Sequence, residues 1–483
     1  MVLFSVAKGF GVILRGIQVF NPVIASFNKF ENKLINWRKN FGYKRFLLIT
    51  LVSLVNFNVN AFETEFNNQI KPESINTNNL NSEADWTLFI YMESDKDLND
   101  AAMKNMADIA RAGVPGNINV VVQLHAWQEI AWRYRISGNS ITLDSTVDLT
   151  LDPEQDLFNG LSWAFKKHPS KKTMTVLWNH GFGILDPVWS EHDERWLSEN
   201  LQDMKITRSK LLPDIFEHKK HRGVLFYPYT KVFLTNSGMV NVFLRVKSEV
   251  FNSKKINIIS FDACRMAMVE IGYQLSGFAN FLIGSQDCEL KDGCDYFSLI
   301  RNLSCNYSPV EIAKFVVKDY ENYYKPRAAC GRYTQSAIDL NYIDELILNL
   351  DNLINALNLI KDSENSENKN KSICEIVRNV RRNMPEFCSM PSYIDIYSFL
   401  IALKDEFVLA NLANILEYID ESLLSLSKVV IENVSGFKSG HAYGLSIYYP
   451  YDYKKCSYAN CMFATKTLWL SFLQKFSNSS CID

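Results

Sequence analysis

Two reactive side chains follow apolar segments in a pattern that nucleophilic catalysis uses. His180 comes two residues after the apolar segment 174–178, and Cys264 comes shortly after the apolar segment 256–261. If both segments are neighbouring parallel strands, the imidazole and the thiol meet at one edge of a sheet. A thiolate attacks a carbonyl carbon, while an imidazole protonates the leaving amine and later takes a proton from water. The pattern therefore predicts His180 and Cys264 as a catalytic pair.

Either residue alone is typical of a structural role, because a cysteine after a strand usually packs as a small apolar side chain and a histidine is often solvated. The flanking residues favour catalysis. Gly181 leaves room for a substrate backbone, and its N–H, together with that of Cys264, would stabilise a developing oxyanion. Gly181 and Cys264 are therefore the predicted oxyanion donors.

The elements that would position this pair alternate between short apolar strands and helical patterns. This alternation predicts an α/β fold whose largely parallel sheet is covered by helices on both faces. The segment 184–250 mixes charges with Trp, Tyr and Pro, and predicts a solvated loop with some helical pieces. The predicted strands are 86–92, 118–124, 132–136, 174–178, 256–261 and 443–450, and the predicted helices are 98–112, 158–168, 376–382, 393–430 and 462–476.

The chain has 483 residues, too many for one small core, and two stretches of it are polar and rich in Asn or Ser. These stretches predict a linker and an exposed insert. The predicted regions are an export segment 1–61, a polar linker 62–85, a folded core 86–362 that carries the predicted catalytic pair, a polar insert 363–372 and a C-terminal subdomain 373–483 that completes the fold.

The N-terminal region has the pattern of a signal peptide. A basic cluster at residues 38–45 runs into the apolar stretch 46–57, and Ala61 suits a cleavage site. The apolar stretch is shorter than the roughly 20 residues that span a bilayer. The preceding stretch 1–43 is longer than an ordinary signal peptide allows, so an uncleaved segment that associates with a membrane stays an alternative. A secreted protein or one of the periplasm or cell envelope is expected.

Composition and charge exclude several classes of protein. Hydrophobic residues make up 47% of the chain, and 51 basic against 53 acidic residues leave a formal net charge of −2. This composition predicts a folded body and no nucleic-acid partner. All ten cysteines lie from Cys264 onward and form no Cys-x-x-Cys pair, so no zinc ribbon or other metal site is predicted.

Several motifs resemble the clostripain-like cysteine peptidases in their order and spacing. They are the segment 87–98, then Leu177–Gly181, then Ile259–Met266, and further downstream the segments 336–340, 393–399 and 444–450. The His-Gly and Asp-Ala-Cys motifs are specific in combination and weak apart. The resemblance spans Trp86 to Phe476.

This resemblance implies a caspase-like α/β/α sandwich with C-terminal helical and strand additions, and a dyad of His180 and Cys264. It also implies protein or peptide substrates cut after Arg or Lys. Such a side chain needs a carboxylate in its pocket to offset its desolvation. Asp262 is the first candidate, and Asp292 is chosen as the second by its position in the family pattern. Asp292 is chosen from four acids in this part of the sequence, which are Asp287, Glu289, Asp292 and Asp295.

Members of this family tend to be made as zymogens that cut themselves between the His and Cys motifs, and Arg195 or Lys205 would supply such a site here. Calcium dependence occurs in part of the family, but residues 95–106 lack the pattern of an EF-hand loop. No cofactor is predicted, calcium is left open, and a monomer is expected.

The sequence departs from the family pattern at Arg265 and Ala267, and around residues 285–296. A guanidinium beside the nucleophile would lower the thiol pKa but would repel a basic substrate. Two alternatives therefore stay open. One is a catalytically inactive exported interaction protein on the same fold, and the other is a caspase-fold peptidase specific for Asn or Asp.

Overall fold

The computed structural model describes residues 83–94, 98–126, 130–150, 152–185, 224–227, 232–303, 307–327, 331–363, 373–387, 392–453 and 457–477. The predicted export segment 1–61, almost all of the linker and the polar insert, and the candidate cleavage residues Arg195 and Lys205 lie outside these residues. The predictions made for them are therefore not tested by the structure.

The described residues form thirteen strands. They are β1 Ala84–Ser94, β2 Ile118–Ala126, β3 Ile130–Ser137, β4 Ser140–Asp148, β5 Ser170–Trp178, β6 Val224–Tyr227, β7 Val232–Leu234, β8 Ile256–Asp262, β9 Ala279–Gly284, β10 Thr334–Asp339, β11 Tyr393–Asp395, β12 Val430–Ser435 and β13 Ser446–Tyr448. Nine of them build one sheet in the order β12-β10-β9-β8-β5-β1-β2-β3-β4. The strands β11 and β13 form a separate antiparallel pair, as do β6 and β7.

The centre of the large sheet is parallel, and its two margins are antiparallel. The strands β9, β8, β5, β1 and β2 run parallel to their neighbours. At one margin β3 and β4 continue the sheet in antiparallel order, and at the other β10 and β12 do so. This arrangement confirms the prediction of an α/β fold around a mostly parallel central sheet.

Burial along the strands follows their position in the sheet. Nine consecutive residues of β1, from Trp86 to Ser94, are buried, as expected for a central strand covered on both faces. Strand β4 lies at the margin, and none of its residues is fully buried. Its Ser, Thr and Asp side chains suit an exposed edge, because polar edges resist pairing with other chains.

Twelve α-helices are described. They are α1 Asn99–Ala112, α2 Pro153–Lys167, α3 Asn236–Glu249, α4 Val269–Leu275, α5 Tyr296–Asn302, α6 Pro309–Tyr324, α7 Ile343–Ser363, α8 Ile373–Asn383, α9 Ile396–Leu409, α10 Ala413–Val429, α11 Met462–Lys466 and α12 Trp469–Phe476. No helix among the residues described is long and apolar enough to cross a membrane.

Helices cover both faces of the sheet. Phe89 and Tyr91 of β1 belong to a large core that also holds Leu157 of α2 and Val242 of α3. Successive side chains of a strand point to opposite faces, so the buried Ile90 lies on the other side. On that side α1 packs against α5, and α5 packs against α6. The C-terminal helices from α7 to α10 and α12 contribute to the large core.

Three predicted segments form elements of a different type or number in the structure. The segment 236–249, expected within a loop region, is the helix α3, whose buried side chains join the core. The predicted helix 393–430 is the strand β11 followed by α9 and α10, because Asp395 caps α9 and Asn411 adopts a left-handed φ of 59° between the helices. The predicted helix 462–476 is divided into α11 and α12 by the extended Thr467.

Candidate active site

The register of two central strands places the predicted catalytic pair at one edge of the sheet. Strands β5 and β8 are parallel neighbours, and Trp178 is paired with Asp262 at their carboxyl ends. His180 and Cys264 each lie two residues beyond this pair. Both side chains are half-buried. The prediction that two adjacent parallel strands end at these residues is therefore confirmed.

Asn179 holds the start of the histidine loop against both neighbouring strands. Its backbone N–H donates a hydrogen bond to the Asp262 carbonyl oxygen at 3.3 Å, which continues the ladder between β5 and β8. Its side-chain Nδ2 donates to the Glu93 carbonyl oxygen of β1 at 2.5 Å. Because Asn179 is buried, these bonds fix the chain direction immediately before His180.

Gly181 packs directly on the backbone of Cys264. A Cβ added at this position would lie 2.3 Å from the carbonyl oxygen of Cys264 and 3.0 Å from its backbone nitrogen. Side chains do not approach backbone atoms this closely, so only glycine fits without displacing one of the two loops. The requirement for glycine thus comes from contact between the His180 and Cys264 loops.

The histidine loop is also braced by the C-terminal part of the chain. The Tyr393 hydroxyl of β11 donates a hydrogen bond to the Phe182 carbonyl oxygen at 2.7 Å. Gly183 has a φ of +73°, and a Cβ there would meet the Tyr393 hydroxyl at 2.9 Å. Asn236 of α3 donates from Nδ2 to the Ile184 carbonyl oxygen at 2.9 Å. The loop after β5 is therefore held from two sides.

Three groups near Cys264 act on the charge of its thiol. A hydrogen bond between the side chains of Cys264 and Cys288 lowers the pKa of Cys264, although burial opposes this effect. The Arg265 guanidinium and the Glu289 N–H, which donates to Cys264 Sγ at 3.1 Å, lower the pKa further. The same bond to Cys264 and burial raise the pKa of Cys288. The Glu289 N–H therefore stabilises negative charge on Cys264 Sγ, the atom to which it donates.

Arg265 joins the Cys264 loop to the loop that follows β9. Its φ of 62° lies in the left-handed region, which is uncommon for a residue with a side chain. Its backbone N–H donates to the Asp287 carbonyl oxygen at 3.0 Å, and its Nη2 donates to Cys288 Sγ at 3.0 Å. The guanidinium is thus directed at a thiol of this protein, and the side chain is buried.

An acidic cluster is formed by Asp262, Glu289 and Cys294, whose candidate ligand atoms all lie within 4.8 Å of one another. Asp262 is buried and accepts hydrogen bonds from the Cys294 N–H at 3.1 Å and the Tyr296 hydroxyl at 2.8 Å. Burial raises the pKa of Asp262 to about 6. Burial and the charge of Asp262 raise the pKa of Glu289 well above its usual range. The cluster therefore favours a positively charged ligand.

The same three residues are the group among the described residues that could hold a metal ion. A thiolate with two carboxylates suits Zn²⁺ better than Ca²⁺, which prefers oxygen ligands. The structure thus offers one candidate set of ligands but favours no calcium site there.

The other predicted acids have separate surroundings. Asp292 is 48% exposed, lies 3.6 Å from Lys104 Nζ, and accepts a hydrogen bond from the Tyr323 hydroxyl at 3.3 Å. Asp295 caps α5 by accepting from the Ser298 N–H at 3.1 Å. Asp287 accepts from the Cys288 N–H at 2.8 Å. Of the four acids considered for the second position, only Glu289 belongs to the acidic cluster with Asp262.

Comparison with known proteins places part of the chain in a family. Residues 240–478 match the model of the clostripain family, peptidase C11, so the match includes Cys264 and begins after His180. This segment belongs to the clostripain family. The chain therefore carries a clostripain-type cysteine peptidase, as the motifs predicted. Its match covers the nucleophile strand β8 and all C-terminal elements.

Solved structures extend the likeness of fold to the remainder of the clostripain-type unit. A secreted C11 cysteine protease from Bacteroides thetaiotaomicron, in complex with an irreversible peptide inhibitor, has a TM-score of 0.52 at 16% identity and covers 80% of this chain and 99% of its own. A secreted C11 cysteine protease from the same organism, iotapain, has a TM-score of 0.55 at 14% identity and covers 80% of this chain and 100% of its own. No curated protein matches the chain.

Sequence reasoning overlooked two features of the clostripain-type site. Cys288 was seen only as one of nine further cysteines, although it follows β9 as Cys264 follows β8. Tyr393 was noted in a family-like segment but without a role. Both contacts join residues distant in the chain, so only the order of the strands could have indicated them.

Proposed function

We propose that the chain is an exported endopeptidase that cuts protein substrates after Arg or Lys, with Cys264 as nucleophile and His180 as acid/base. The observation that carries this proposal is the pairing of Trp178 with Asp262, which brings the loops of both residues to one sheet edge. The lowered pKa of Cys264 supports the assignment, because the thiolate is the attacking form.

The reaction follows from the chemistry of the two side chains. The Cys264 thiolate attacks the carbonyl carbon, and the N–H groups of Gly181 and Cys264 stabilise the oxyanion. His180 gives a proton to the leaving amine as the C–N bond breaks, which leaves a thioester on Cys264. His180 then takes a proton from water as that water attacks the thioester. The acid product leaves, and the dyad is restored.

The acidic cluster supports the preference for a basic residue before the cut bond. Its carboxylates repel each other in a buried site, and a guanidinium or ammonium group between them would relieve this repulsion. Asp262 stands two residues before the nucleophile, so the cluster lies close to where a substrate is held. Asp262 with Glu289 is the pair favoured by these contacts, and Asp292 stays the choice made from the family pattern.

Export and self-cleavage complete the proposal. The signal-like segment ending at Ala61 supports export, and a protein similar in fold is described as secreted. Candidate cuts at Arg195 or Lys205 lie between β5 and β8, where the chain connects the two catalytic loops. A full-length Cys264→Ala chain is expected to stay intact, while the wild type yields new N-termini in this segment. An intact wild-type chain with full activity would contradict self-activation.

The deciding experiment measures hydrolysis of matched fluorogenic peptides that end in Arg, Lys, Asn or Asp, with and without calcium. We expect turnover of the Arg or Lys peptides by the wild type and none by Cys264→Ala. Turnover of Asn or Asp peptides alone would favour the alternative specificity. The absence of all turnover, also after limited proteolysis, would favour the inactive interaction protein.

Variants of the acids identify the specificity residues. Asp262→Asn and Glu289→Gln are expected to lower kcat/KM for the Arg peptide by roughly tenfold or more, because each removes a charge that pairs with the substrate cation. Asp292→Asn is the matched comparison. If Asp292→Asn lowers turnover and Glu289→Gln does not, the second carboxylate is Asp292 and not Glu289.

A further inference from the structure

A second thiol lies in contact with the proposed nucleophile. Strands β8 and β9 are parallel neighbours with Ser260 paired to Ile283. Cys264 lies four residues after Ser260, and Cys288 lies five residues after Ile283. Both thiols therefore come to the same edge of the sheet. Their side chains are hydrogen-bonded to each other, and both are free and half-buried.

Backbone bonds hold the two loops together on both sides of this contact. The Arg265 N–H donates to the Asp287 carbonyl oxygen at 3.0 Å, and the Glu289 N–H donates to Cys264 Sγ at 3.1 Å. The Ala267 N–H donates to the Ser285 carbonyl oxygen at 2.9 Å. These bonds hold the two loops, and with them the two cysteines, side by side.

We propose that Cys288 is a resolving thiol that forms a reversible disulfide with Cys264 after a peroxide has oxidised the nucleophile. The Cys264 thiolate attacks one oxygen of the peroxide, which leaves a sulfenic acid on Cys264 and releases hydroxide or alkoxide. The Cys288 sulfur then attacks the sulfenic sulfur. The S–O bond breaks, the disulfide forms, and water leaves with the proton of Cys288. Two thiols are oxidised, and one peroxide is reduced. The proposal rests on Cys264 being the nucleophile.

The charges around the pair suit this sequence of steps. Cys264 Sγ accepts the Glu289 N–H at 3.1 Å, which stabilises the thiolate, the form that a peroxide oxidises. Arg265 Nη2 lies 3.0 Å from Cys288 Sγ, where its charge stabilises the Cys288 thiolate as it attacks. The disulfide removes the thiolate that attacks substrates, and it prevents further oxidation to the irreversible sulfinic acid. An exogenous thiol restores both sulfur atoms.

The test compares the full-length wild type with Cys288→Ser and with Cys374→Ala, which removes a buried cysteine on the distant helix α8. Each protein is treated with hydrogen peroxide, quenched with catalase, and assayed against its own untreated rate before and after dithiothreitol. Roughly tenfold or greater loss is expected in all three. Wild type and Cys374→Ala regain their rates, while Cys288→Ser stays inactive.

Mass spectrometry of unreduced peptides gives a second readout that does not need activity. A peptide linking Cys264 to Cys288 is expected in oxidised wild type, and a sulfinic acid on Cys264 is expected in Cys288→Ser. The proposal is overturned if the linked peptide does not form, or if Cys288→Ser recovers as fully as the wild type. If Cys264→Ala keeps peptidase activity, the proposed function fails, and the linked peptide still reports on the thiol pair.

Discussion

The His180 and Cys264 loops meet closely at a residue without a side chain. A Cβ at Gly181 would lie within 2.3 Å of the Cys264 carbonyl oxygen, so the loops pack at backbone distance. The sequence predicted a glycine requirement here, but assigned it to the approach of substrate. The structural reason could not be predicted, because it depends on how closely β5 and β8 bring their loops together.

Gly181→Ala should lower kcat/KM on the order of 100-fold, because the added methyl group pushes His180 and Cys264 out of alignment. Steady-state kinetics with the preferred peptide measures this loss. Gly277→Ala is the matched control, since a Cβ there meets nothing within 4 Å. Near-normal activity of Gly181→Ala would show that the loops can separate without cost.

Cys288→Ala should raise the pKa of Cys264, because it removes the hydrogen bond that contributes most to lowering it. The thiolate then forms only at higher pH. The pH at which kcat/KM increases on the acid side of its profile should therefore also rise. The pH dependence of Cys264 alkylation by iodoacetamide measures the shift directly. Cys288→Ser, which retains a hydroxyl donor, should give a smaller shift. An equal shift in both variants would contradict this explanation.

At the scale of elements, the loop after β9 is held by a buried network from the C-terminal part of the chain. Gln286 Nε2 donates to Asp395 Oδ2 at 2.9 Å, and the Gly444 N–H donates to Gln286 Oε1 at 2.6 Å. Asp395 also accepts from the N–H groups of Tyr443 and Ser398. This network fixes the loop that carries Cys288 and Glu289.

Asp395→Ala should lower the free energy of unfolding by about 3 kcal/mol, since it leaves several buried donors without an acceptor and removes the cap of α9. Urea denaturation in a Cys264→Ala background measures the change without self-digestion. Asp152→Ala removes the cap of α2 outside the network and should cost about 1 kcal/mol. If both variants lose the same free energy of unfolding, the hydrogen-bond network contributes no stability beyond that of the helix cap.

The central strands were predictable, whereas the elements that complete the site were less so. Strands β1, β2, β5 and β8 are short apolar runs, so their burial is evident in the sequence. Strand β4 is polar, so its sequence lacks the apolar run by which the other strands are recognised. The break between α9 and α10 depends on a left-handed Asn411 inside an otherwise helical pattern. Spacing alone also does not tell which loop acid lies beside Asp262, where the structure places Glu289.

At the scale of the whole molecule, buried carboxyl groups make stability depend on pH. Glu270 of α4 is fully buried and accepts hydrogen bonds from the Tyr448 N–H at 2.8 Å and the Tyr458 hydroxyl at 3.2 Å. Burial raises the pKa of Glu270 to about 7. The folded protein therefore holds this proton more tightly than the unfolded chain does. The stabilising effect is present at acidic pH and is lost as the pH rises through about 7.

Glu270→Gln should flatten this dependence, because a neutral amide keeps an acceptor but does not titrate. Between about pH 5 and pH 8 the wild type should lose on the order of 2 kcal/mol more than the variant. Urea denaturation at several pH values, again with Cys264→Ala, measures the difference. Glu417→Gln changes an exposed residue of α10 and should show the same pH dependence of stability as the wild type. Parallel curves for Glu270→Gln and the wild type would contradict the assignment.

The brace from Tyr393 to Phe182 joins residues 211 positions apart in the chain. During synthesis a ribosome therefore finishes both His180 and Cys264 long before it adds the hydroxyl that holds the histidine loop. A nascent or truncated chain that ends before Tyr393 contains both His180 and Cys264 but lacks this brace. The order of synthesis therefore places this support of the histidine loop after both reactive residues.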